Sequence, residues 1–267
     1  MTVAILVVPS VTKLPPEADG AVIVGGSHAA LYAAHVVAKA GARAAIHHDA
    51  GIGFEEAGVA GLALAQELGM AMAAVDSASA RIGEAEDMMR RGIVSRANAL
   101  AGACGVASGQ TCAEAAERLK AAPWPHRAPP ARAEGRSVFE AKAGRRKIVC
   151  IDSATLILPE DRDQVVATGS HGAATSGQVV APVQPALVLY NDAGFGADRA
   201  GAAGLSILNN AGIAGATVAA LSAKIGDGRS TLTKGVLSAV NEAAYRLGGR
   251  VGGSALALAR RVAEKAV

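Results

Sequence analysis

The sequence contains few aromatic residues and few cysteines. Phe, Trp and Tyr make up 3% of the 267 residues, so the basic segment 127–147 offers few rings on which bases could stack, and we expect no nucleic-acid partner. The three cysteines form no C-x-x-C pair, which excludes a zinc ribbon or a thioredoxin-like motif. We expect them to be reduced residues of the core.

Long apolar runs are also absent. No run approaches the roughly 18 uninterrupted apolar residues of a membrane span. The first residues resemble a β-strand and lack the charged region and long apolar region that are typical of a secretory signal. We therefore expect a soluble cytoplasmic protein without a membrane partner. A hydrophobic content of 51% against 18% charged residues is typical of a globular fold. Its abundant Ala and Gly favour tight packing and a homo-oligomer.

One short stretch occurs twice. Val22–His28 reads VIVGGSH, and 143 positions later Val165–His171 reads VVATGSH. The match extends without a gap from residues 5–118 onto residues 148–261. This pattern indicates a tandem duplication.

The duplication predicts the domain organisation. We expect two similar lobes, residues 1–124 and 144–267, each large enough for its own core, joined by a Pro- and Arg-containing connector at residues 125–143. Apolar β-branched runs alternate with helical segments in each lobe, which indicates an α/β fold with three layers around a mostly parallel sheet. We expect a pseudo-twofold axis to relate the lobes.

Local patterns predict where several helices begin and end. Ser27 would be the N-cap of a helix over residues 28–41, and Gly69 would close another helix. The stretches 95–103 and 235–247 are each typical of a helix.

Turns that follow the strands are nearly unchanged between the copies, whereas core positions differ among apolar residues. These turns lie at the carboxyl ends of strands, where open α/β sheets bind ligands. Their glycines would let a carboxylate or phosphate approach the N–H groups of helix starts. We therefore predict a substrate site for an anion formed by Gly26, Ser27, Gly51, Gly53, Arg81, Gly169, Gly172, Gly194, Gly196, Ser222, Lys224 and Asn241.

The same turns carry side chains suited to acid–base or nucleophilic chemistry. His171 would carry a proton, because its ordinary pKa lies near neutrality, and Asp192 would orient it. A serine would act as nucleophile or oxyanion donor. The candidate catalytic residues are His171, Asp192, Ser170, Ser153, His28 and Asp49.

Each of these features also has a structural interpretation. The serines would cap helices, the histidines would pack or face solvent, and the aspartates would accept hydrogen bonds from their own glycine turns. Differences between the copies favour a functional second lobe, which has Asp152 where the first has Pro9 and Gly172 where the first has Ala29.

We expect a small-molecule enzyme with hydrolase-like chemistry on an anionic, carboxylate- or amide-bearing metabolite, bound at the carboxyl edge of the strands between the lobes. A racemase, isomerase or lyase is one alternative, and a non-catalytic ligand-binding protein is another. The two-lobe layout is similar to that of the aspartate/glutamate racemases. Those enzymes use a cysteine from each lobe, and no cysteines occupy equivalent positions here, so no residue role is transferred.

No cofactor is predicted. The turn at residues 25–28 lacks the G-x-G-x-x-G pattern of dinucleotide-binding proteins, and the chain has no P-loop. A divalent metal held by His28, Asp49, His171 and Asp192 is a less favoured alternative, because these residues lack the short spacing typical of metal ligands.

Overall fold

The computed structural model describes residues 3–125 and 127–264. Residues 1–2 and 265–267, which the predicted lobes include, lie outside the described residues. The chain forms two units. Unit 1 comprises Met1–Ile52, Glu56–Ala133 and Gly196–Asp198, and unit 2 comprises Gly53–Glu55, Glu134–Phe195 and Arg199–Val267.

Unit 1 is built on a five-stranded sheet in the order β1-β2-β3-β4-β5. The first four strands are parallel, and β5 pairs antiparallel with β4 at the edge. Their bounds are β1 (Ile5–Val8), β2 (Val22–His28), β3 (Ala44–His48), β4 (Ala71–Val75) and β5 (Val94–Ala97). β3 and β4 are buried along their whole length, and β2 is buried up to Gly26, because helices cover both faces.

Five helices cover the sheet of unit 1. They are α1 (Leu31–Lys39), α2 (Gly61–Leu68), α3 (Ala85–Arg91), α4 (Ala99–Ala103) and α5 (Cys112–Leu119). α1 and α2 pack on the face that carries Ile23, and the other three helices pack on the face that carries Val22 and Val24. This alternation follows from the period of two along a strand.

Unit 2 has a six-stranded sheet in the order β11-β10-β9-β8-β7-β6. The four central strands are parallel, and the edge strands β6 and β11 are antiparallel to their neighbours. The bounds are β6 (Arg136–Glu140), β7 (Ile148–Ile151), β8 (Val165–His171), β9 (Leu187–Asn191), β10 (Ala214–Val218) and β11 (Leu237–Val240).

Helices cover both faces of this sheet as well. The helices are α6 (Ala174–Val180), α7 (Gly204–Asn210), α8 (Gly228–Lys234), α9 (Glu242–Arg246) and α10 (Ala255–Ala263). α8, α9 and α10 pack on one face, and α6 and α7 cover the other. The protein is therefore α/β with two mixed sheets.

The structure corrects the predicted helix over residues 28–41. β2 continues to His28, and α1 begins only at Leu31 with Ala30 at its N-cap and no capping side chain. Ser27 is therefore not an N-cap. Pairing of β2 with β3 at His28 and His48 outweighs the local preference of this segment for a helix start.

The predicted helices over residues 95–103 and 235–247 are also interrupted. In the second case α8 ends at Lys234, β11 follows, and α9 begins at Glu242. β5 and α4 divide residues 95–103 in the same way. A four-residue apolar strand cannot be told from part of a helix by periodicity alone. The helix end at Gly69 is confirmed, since this residue has a φ of 80° at the C-cap of α2.

Residues 125–143 are not only a connector. β6 lies within them and pairs with β7, so the sheet of unit 2 extends into this segment. Among the described residues, no helix is both long enough and apolar enough to span a bilayer.

Candidate functional site

The two predicted aspartates hold turns together. Asp192 Oδ1 accepts hydrogen bonds from the amides of Gly194 and Ala220, each at 2.9 Å. Asp49 Oδ1 makes the matching pair of bonds in unit 1. Both side chains are 3% exposed. Each aspartate thus ties its own turn to the turn after the next strand, which favours the structural interpretation of these oxygens.

The predicted histidines reach the same sheet edges as these aspartates. His28 pairs with His48 and His171 pairs with Asn191, the residues directly before the aspartates. His171 Nδ1 accepts a hydrogen bond from the amide of Ala173 at 3.3 Å. Burial and the nearby His48 lower the pKa of His28 to about 4. His28 is therefore neutral at pH 7 and cannot pair with a carboxylate as a cation.

His48 and Asn191 occupy the same place in their sheets and make the same hydrogen bonds. Asn191 Nδ2 donates to Ala223 O at 3.0 Å, and its Oδ1 accepts from Ala193 N at 2.8 Å. His48 Nδ1 accepts from the turn that follows at 3.0 Å, and Nε2 lies 3.0 Å from Ala80 O. Because a carbonyl only accepts, Nε2 carries the proton. The imidazole thus replaces an amide in a structural role.

Ser170 and Gly169 contact other parts of the chain. Ser170 Oγ accepts a hydrogen bond from Ala154 N at 2.8 Å. A Cβ on Gly169 would lie 2.4 Å from Asp227 N and 2.6 Å from Asp152 O. The equivalent Ser27 and Gly26 make similar contacts in unit 1. These glycines are needed for backbone packing, and the space beside them is already filled.

The other predicted glycines shape the backbone. Gly172 has no room for a side chain, since a Cβ would lie 2.7 Å from Gly201 O. Left-handed turns with positive φ contain Gly51, Gly53, Gly194 and Gly196, together with Ala50, Ile52, Ala193 and Phe195. A non-glycine residue in this conformation costs about 1–2 kcal/mol. Both turns therefore persist because the surrounding structure holds them.

Asn241 and Ser222 join neighbouring elements. Asn241 Oδ1 accepts from Gly215 N at 3.0 Å and from Ala244 N at 2.9 Å, and Nδ2 donates to Ile213 O at 2.8 Å. It therefore caps α9 and fixes the start of β10. Ser222 Oγ connects the end of β10 to the segment before β11. Both contact sets favour structural roles.

Replacing Asn241 by alanine should lower the free energy of unfolding by about 2 kcal/mol, because a cap is lost and buried amide groups lose their partners. Urea denaturation followed by circular dichroism measures the loss. Asn210→Ala, at an exposed helical position, is the control and should change stability by less than about 0.5 kcal/mol. Equal effects of the two substitutions would contradict this role.

Arg81 and Lys224 are paired with carboxylates. In unit 1, Arg81 Nε lies 2.8 Å from Asp198 and Nη1 lies 3.2 Å from Glu84. In unit 2, Lys224 pairs with Glu55. An anionic ligand would have to displace these carboxylates before it could reach either cation.

An acidic cluster lies beyond β7 in unit 2, and it joins the predicted Ser153 and the noted Asp152 to a glutamate that the sequence did not predict. The Asp152 carboxylate accepts hydrogen bonds from Gly135 N at 2.6 Å and from Gly228 N at 3.2 Å. Glu134 directly precedes Gly135, and the Ser153 side chain is near enough to its carboxyl group to influence its pKa. We call Glu134, Asp152 and Ser153 the carboxyl cluster.

The chain around Glu134 is firmly held. Arg136 Nη1 and Nη2 donate to the two oxygens of Asp161 at 2.9 and 2.8 Å, and Asp161 is 1% exposed. Asp152 N donates to Gly135 O at 2.9 Å. A bidentate ion pair and a backbone bond thus fix Glu134 beside Asp152.

The environment of Glu134 shifts its proton affinity. Burial, together with a smaller contribution from the charge of Asp152, raises the pKa of Glu134 to about 7, although the nearby Ser153 hydroxyl opposes the shift. A carboxyl group with this pKa exchanges its proton at neutral pH. Such groups are concentrated at functional sites.

Sequence reasoning missed Glu134 for a specific reason. The residue lies in segment 125–143, outside the repeat, so comparison of the two copies says nothing about it. A glutamate in a Pro- and Arg-rich stretch is more typical of a solvated linker. Asp152 in place of Pro9 and the candidate Ser153 were the signals that pointed to this part of the molecule.

Within residues 3–125 and 127–264, no group of three or more His, Cys, Asp or Glu side chains is arranged to hold a metal ion. The four residues considered for a divalent metal therefore do not form such a group.

No protein-family model, curated protein or solved structure matches the chain. Its function has to be inferred from the geometry described above.

Proposed function

We propose that the protein is a small-molecule hydrolase in which Glu134 and Asp152 of unit 2 carry out acid–base chemistry. The observation that supports this most is the pKa of Glu134, about 7, beside the carboxylate of Asp152. Two carboxyl groups in different environments can divide into a proton donor and a proton acceptor. Two backbone hydrogen bonds hold the Asp152 carboxylate in place beside Glu134.

The proposed reaction uses both groups in one step. Protonated Glu134 donates its proton to the leaving nitrogen or oxygen of an amide or ester, while Asp152 accepts a proton from the attacking water. The hydroxide that results adds to the carbonyl carbon, and the bond to the leaving group breaks. After product release, the proton passes from Asp152 through solvent to Glu134, which restores the starting state.

Ser153 would position Glu134 in this reaction. It is 7% exposed, its Oγ is 2.8 Å from Thr155 Oγ1, and it lowers the pKa of the nearby Glu134 carboxyl group. A hydroxyl with these partners is better placed to orient a carboxyl group than to attack a substrate. Ser170 would have an indirect role, because its Oγ accepts a hydrogen bond from the amide of Ala154 and so holds the segment that carries Ser153.

The substrate class follows from the charge of the cluster. A neutral amide or ester bond can lie against two carboxyl groups, whereas a carboxylate next to the reacting bond would be repelled. An anionic group elsewhere on the substrate stays a prediction from the sequence. No observation favours the isomerase, lyase or non-catalytic alternatives over hydrolysis.

The test is hydrolysis of a panel of p-nitrophenyl esters and p-nitroanilides of small acids across pH 5–9. Glu134→Gln should lower kcat/KM by about 100-fold, the low end for loss of a general acid, and should remove the limb of the wild-type pH profile near pH 7. Glu160→Gln, an exposed carboxylate of the same unit, is the matched control and should retain activity. Absence of turnover across the panel, or full activity of Glu134→Gln, would overturn the proposal.

We also infer that the two units arose by duplication of one α/β unit. Supporting this, β1 pairs with β2 at Ile5 and Val22, and β7 pairs with β8 at Ile148 and Val165, which are the positions 143 residues further on. The pseudo-twofold axis, the homo-oligomer and the cytoplasmic location stay predictions from the sequence.

A further inference from the structure

A tryptophan covers the amino edge of the sheet in unit 1. A Cβ placed on Gly20 would lie 3.5 Å from two ring carbons of Trp124, so the indole packs on the bare backbone there. Trp124 Nε1 donates to Gly41 O at 3.0 Å. The guanidinium of Arg43 lies 5.8 Å from the ring centroid and donates to Ala122 O at 2.7 Å.

The corresponding backbone in unit 2 has the same conformation. Residues 143 positions after Gly20 and Gly41 are Asp163 and Gln184, and their φ angles of 60° and 57° compare with 71° and 76° for the two glycines. Gly20 N donates to Gly41 O at 2.9 Å, and Asp163 N donates to Gln184 O at 3.1 Å. Because non-glycine residues rarely adopt these angles, the same local fold is retained at a cost.

No tryptophan of the second copy can cover this backbone. Trp124 is the single tryptophan of the chain, and the residue 143 positions after it, Val267, lies outside the described residues. Unit 2 instead has a cleft with about 340 Å³ of space for solvent. The residues that line it include Arg146, Asp163, Gln184, Ala186, Leu247 and Val262.

The cleft and the surface under Trp124 are therefore built from the same positions. Asp163, Gln184 and Ala186 correspond to Gly20, Gly41 and Arg43, the three residues that contact the indole in unit 1. The volume lies at the lower end of the range for small-molecule sites. The lining contains both apolar side chains, among them Leu247 and Val262, and polar groups at Asp163 and Gln184, a combination that suits a flat ring with one polar edge.

We propose that this cleft, formed by Asp163, Gln184, Ala186, Leu247 and Val262 at the amino edge of the unit 2 sheet, binds a small heteroaromatic ring that carries an N–H donor, with indole as the model ligand. The ring packs against Leu247 and Val262, and its N–H donates to Gln184 O, as Trp124 donates to Gly41 O. The site is separate from the carboxyl cluster, which lies at the opposite edge of the same sheet.

The first test titrates indole into the full-length protein and follows backbone amide shifts by NMR. Saturable shifts at Gln184, Ala186 and Gly212 with a Kd of about 1 mM or tighter are expected for a ligand of this size. 1-Methylindole, which lacks the N–H donor, should bind at least about fivefold more weakly. Absence of saturable shifts, or shifts confined to other residues, would overturn the proposal.

Two substitutions locate the site. Ala186→Trp fills the cleft and should weaken indole binding at least about tenfold; Ala211→Leu, at another lining position, makes the same test if the first variant does not fold. Unchanged affinity in the folded variant would exclude the cleft.

Trp124→Ala tests the correspondence between the units. Removal of the indole uncovers Gly20 and Gly41, so a second saturable set of shifts should appear at these residues, and the number of bound indoles should rise from one to two. Binding in Trp124→Ala at Gly20 and Gly41 alone would show that unit 2 does not use its cleft. Binding in unit 2 alone would contradict the correspondence on which the proposal depends.

Discussion

Glu134→Gln should make the folded protein about 2 kcal/mol more stable at pH 8, a value reduced for the partial solvent exposure of this side chain, but change its stability by less than about 1 kcal/mol at pH 5. The pKa of Glu134 is raised from 4.5 to about 7 in the folded protein, mainly by burial. The stability that the bound proton contributes is fully present below pH 4.5 and is lost as the pH rises through about 7. Glutamine resembles the protonated side chain, so the variant avoids this loss.

Urea denaturation at pH 5 and pH 8 measures the effect, and Glu160→Gln, at an exposed position of the same unit, is the matched control. Asp152→Asn removes the neighbouring negative charge, so part of the difference between the two pH values should disappear in that variant. If Glu134→Gln is equally stable relative to wild type at both pH values, the Glu134 carboxyl group is not held in its protonated form.

The wild-type protein should lose about 3 kcal/mol of stability as the pH falls from 7.5 to 4, about 2 kcal/mol of it by pH 5, through His47 alone. His47 is 0% exposed, and burial, with a smaller contribution from the charge of His28, lowers its pKa from 6.5 to about 4. Because the folded-state pKa is depressed, the stability is present above pH 6.5. It is lost as the pH falls through about 4.

His47→Phe removes the titrating group and should flatten this part of the pH dependence, whatever its effect at pH 7.5. Tyr190→Phe is the matched control, because Tyr190 is the equivalent buried residue of unit 2 and does not titrate between pH 4 and 8. Guanidinium denaturation at several pH values measures the slope. A His47→Phe variant with the wild-type slope would show that other groups cause the loss.

Glu134 and His47 differ in how their titration affects the stability of the folded protein at neutral pH. His47 has a pKa of about 4 and is neutral at pH 7, so its titration has little effect on stability there. Glu134 titrates near pH 7, so the folded protein is less stable at neutral pH than it would be with glutamine. A side chain that destabilises the fold at neutral pH is expected where activity requires it, which is consistent with the proposed role of the carboxyl cluster.

The sequence alone was informative about architecture. Alternation of apolar runs with helical segments predicted an α/β protein, and the structure has two mixed α/β sheets. Gly69 was identified as a helix end because left-handed C-caps strongly favour glycine. These features depend on residues that are close together in the sequence, so local sequence patterns are enough to predict them. The edge strands β5 and β11 were missed because a four-residue strand carries too little periodicity.

The candidate site could not be predicted to the same extent, because its properties arise from contacts between distant segments. Asp49 and Asp192 looked like reactive carboxylates until the structure showed Oδ1 of each bound to turn amides. Glu134 looked like a linker residue until β6 paired with β7 and brought it beside Asp152. The sequence by itself determined the alternation of the central strands with helices and the repeated turns. Only the tertiary structure decided which carboxyl group is buried away from solvent. Burial of Glu134 removes water from its carboxyl group, and this desolvation raises its pKa toward neutrality.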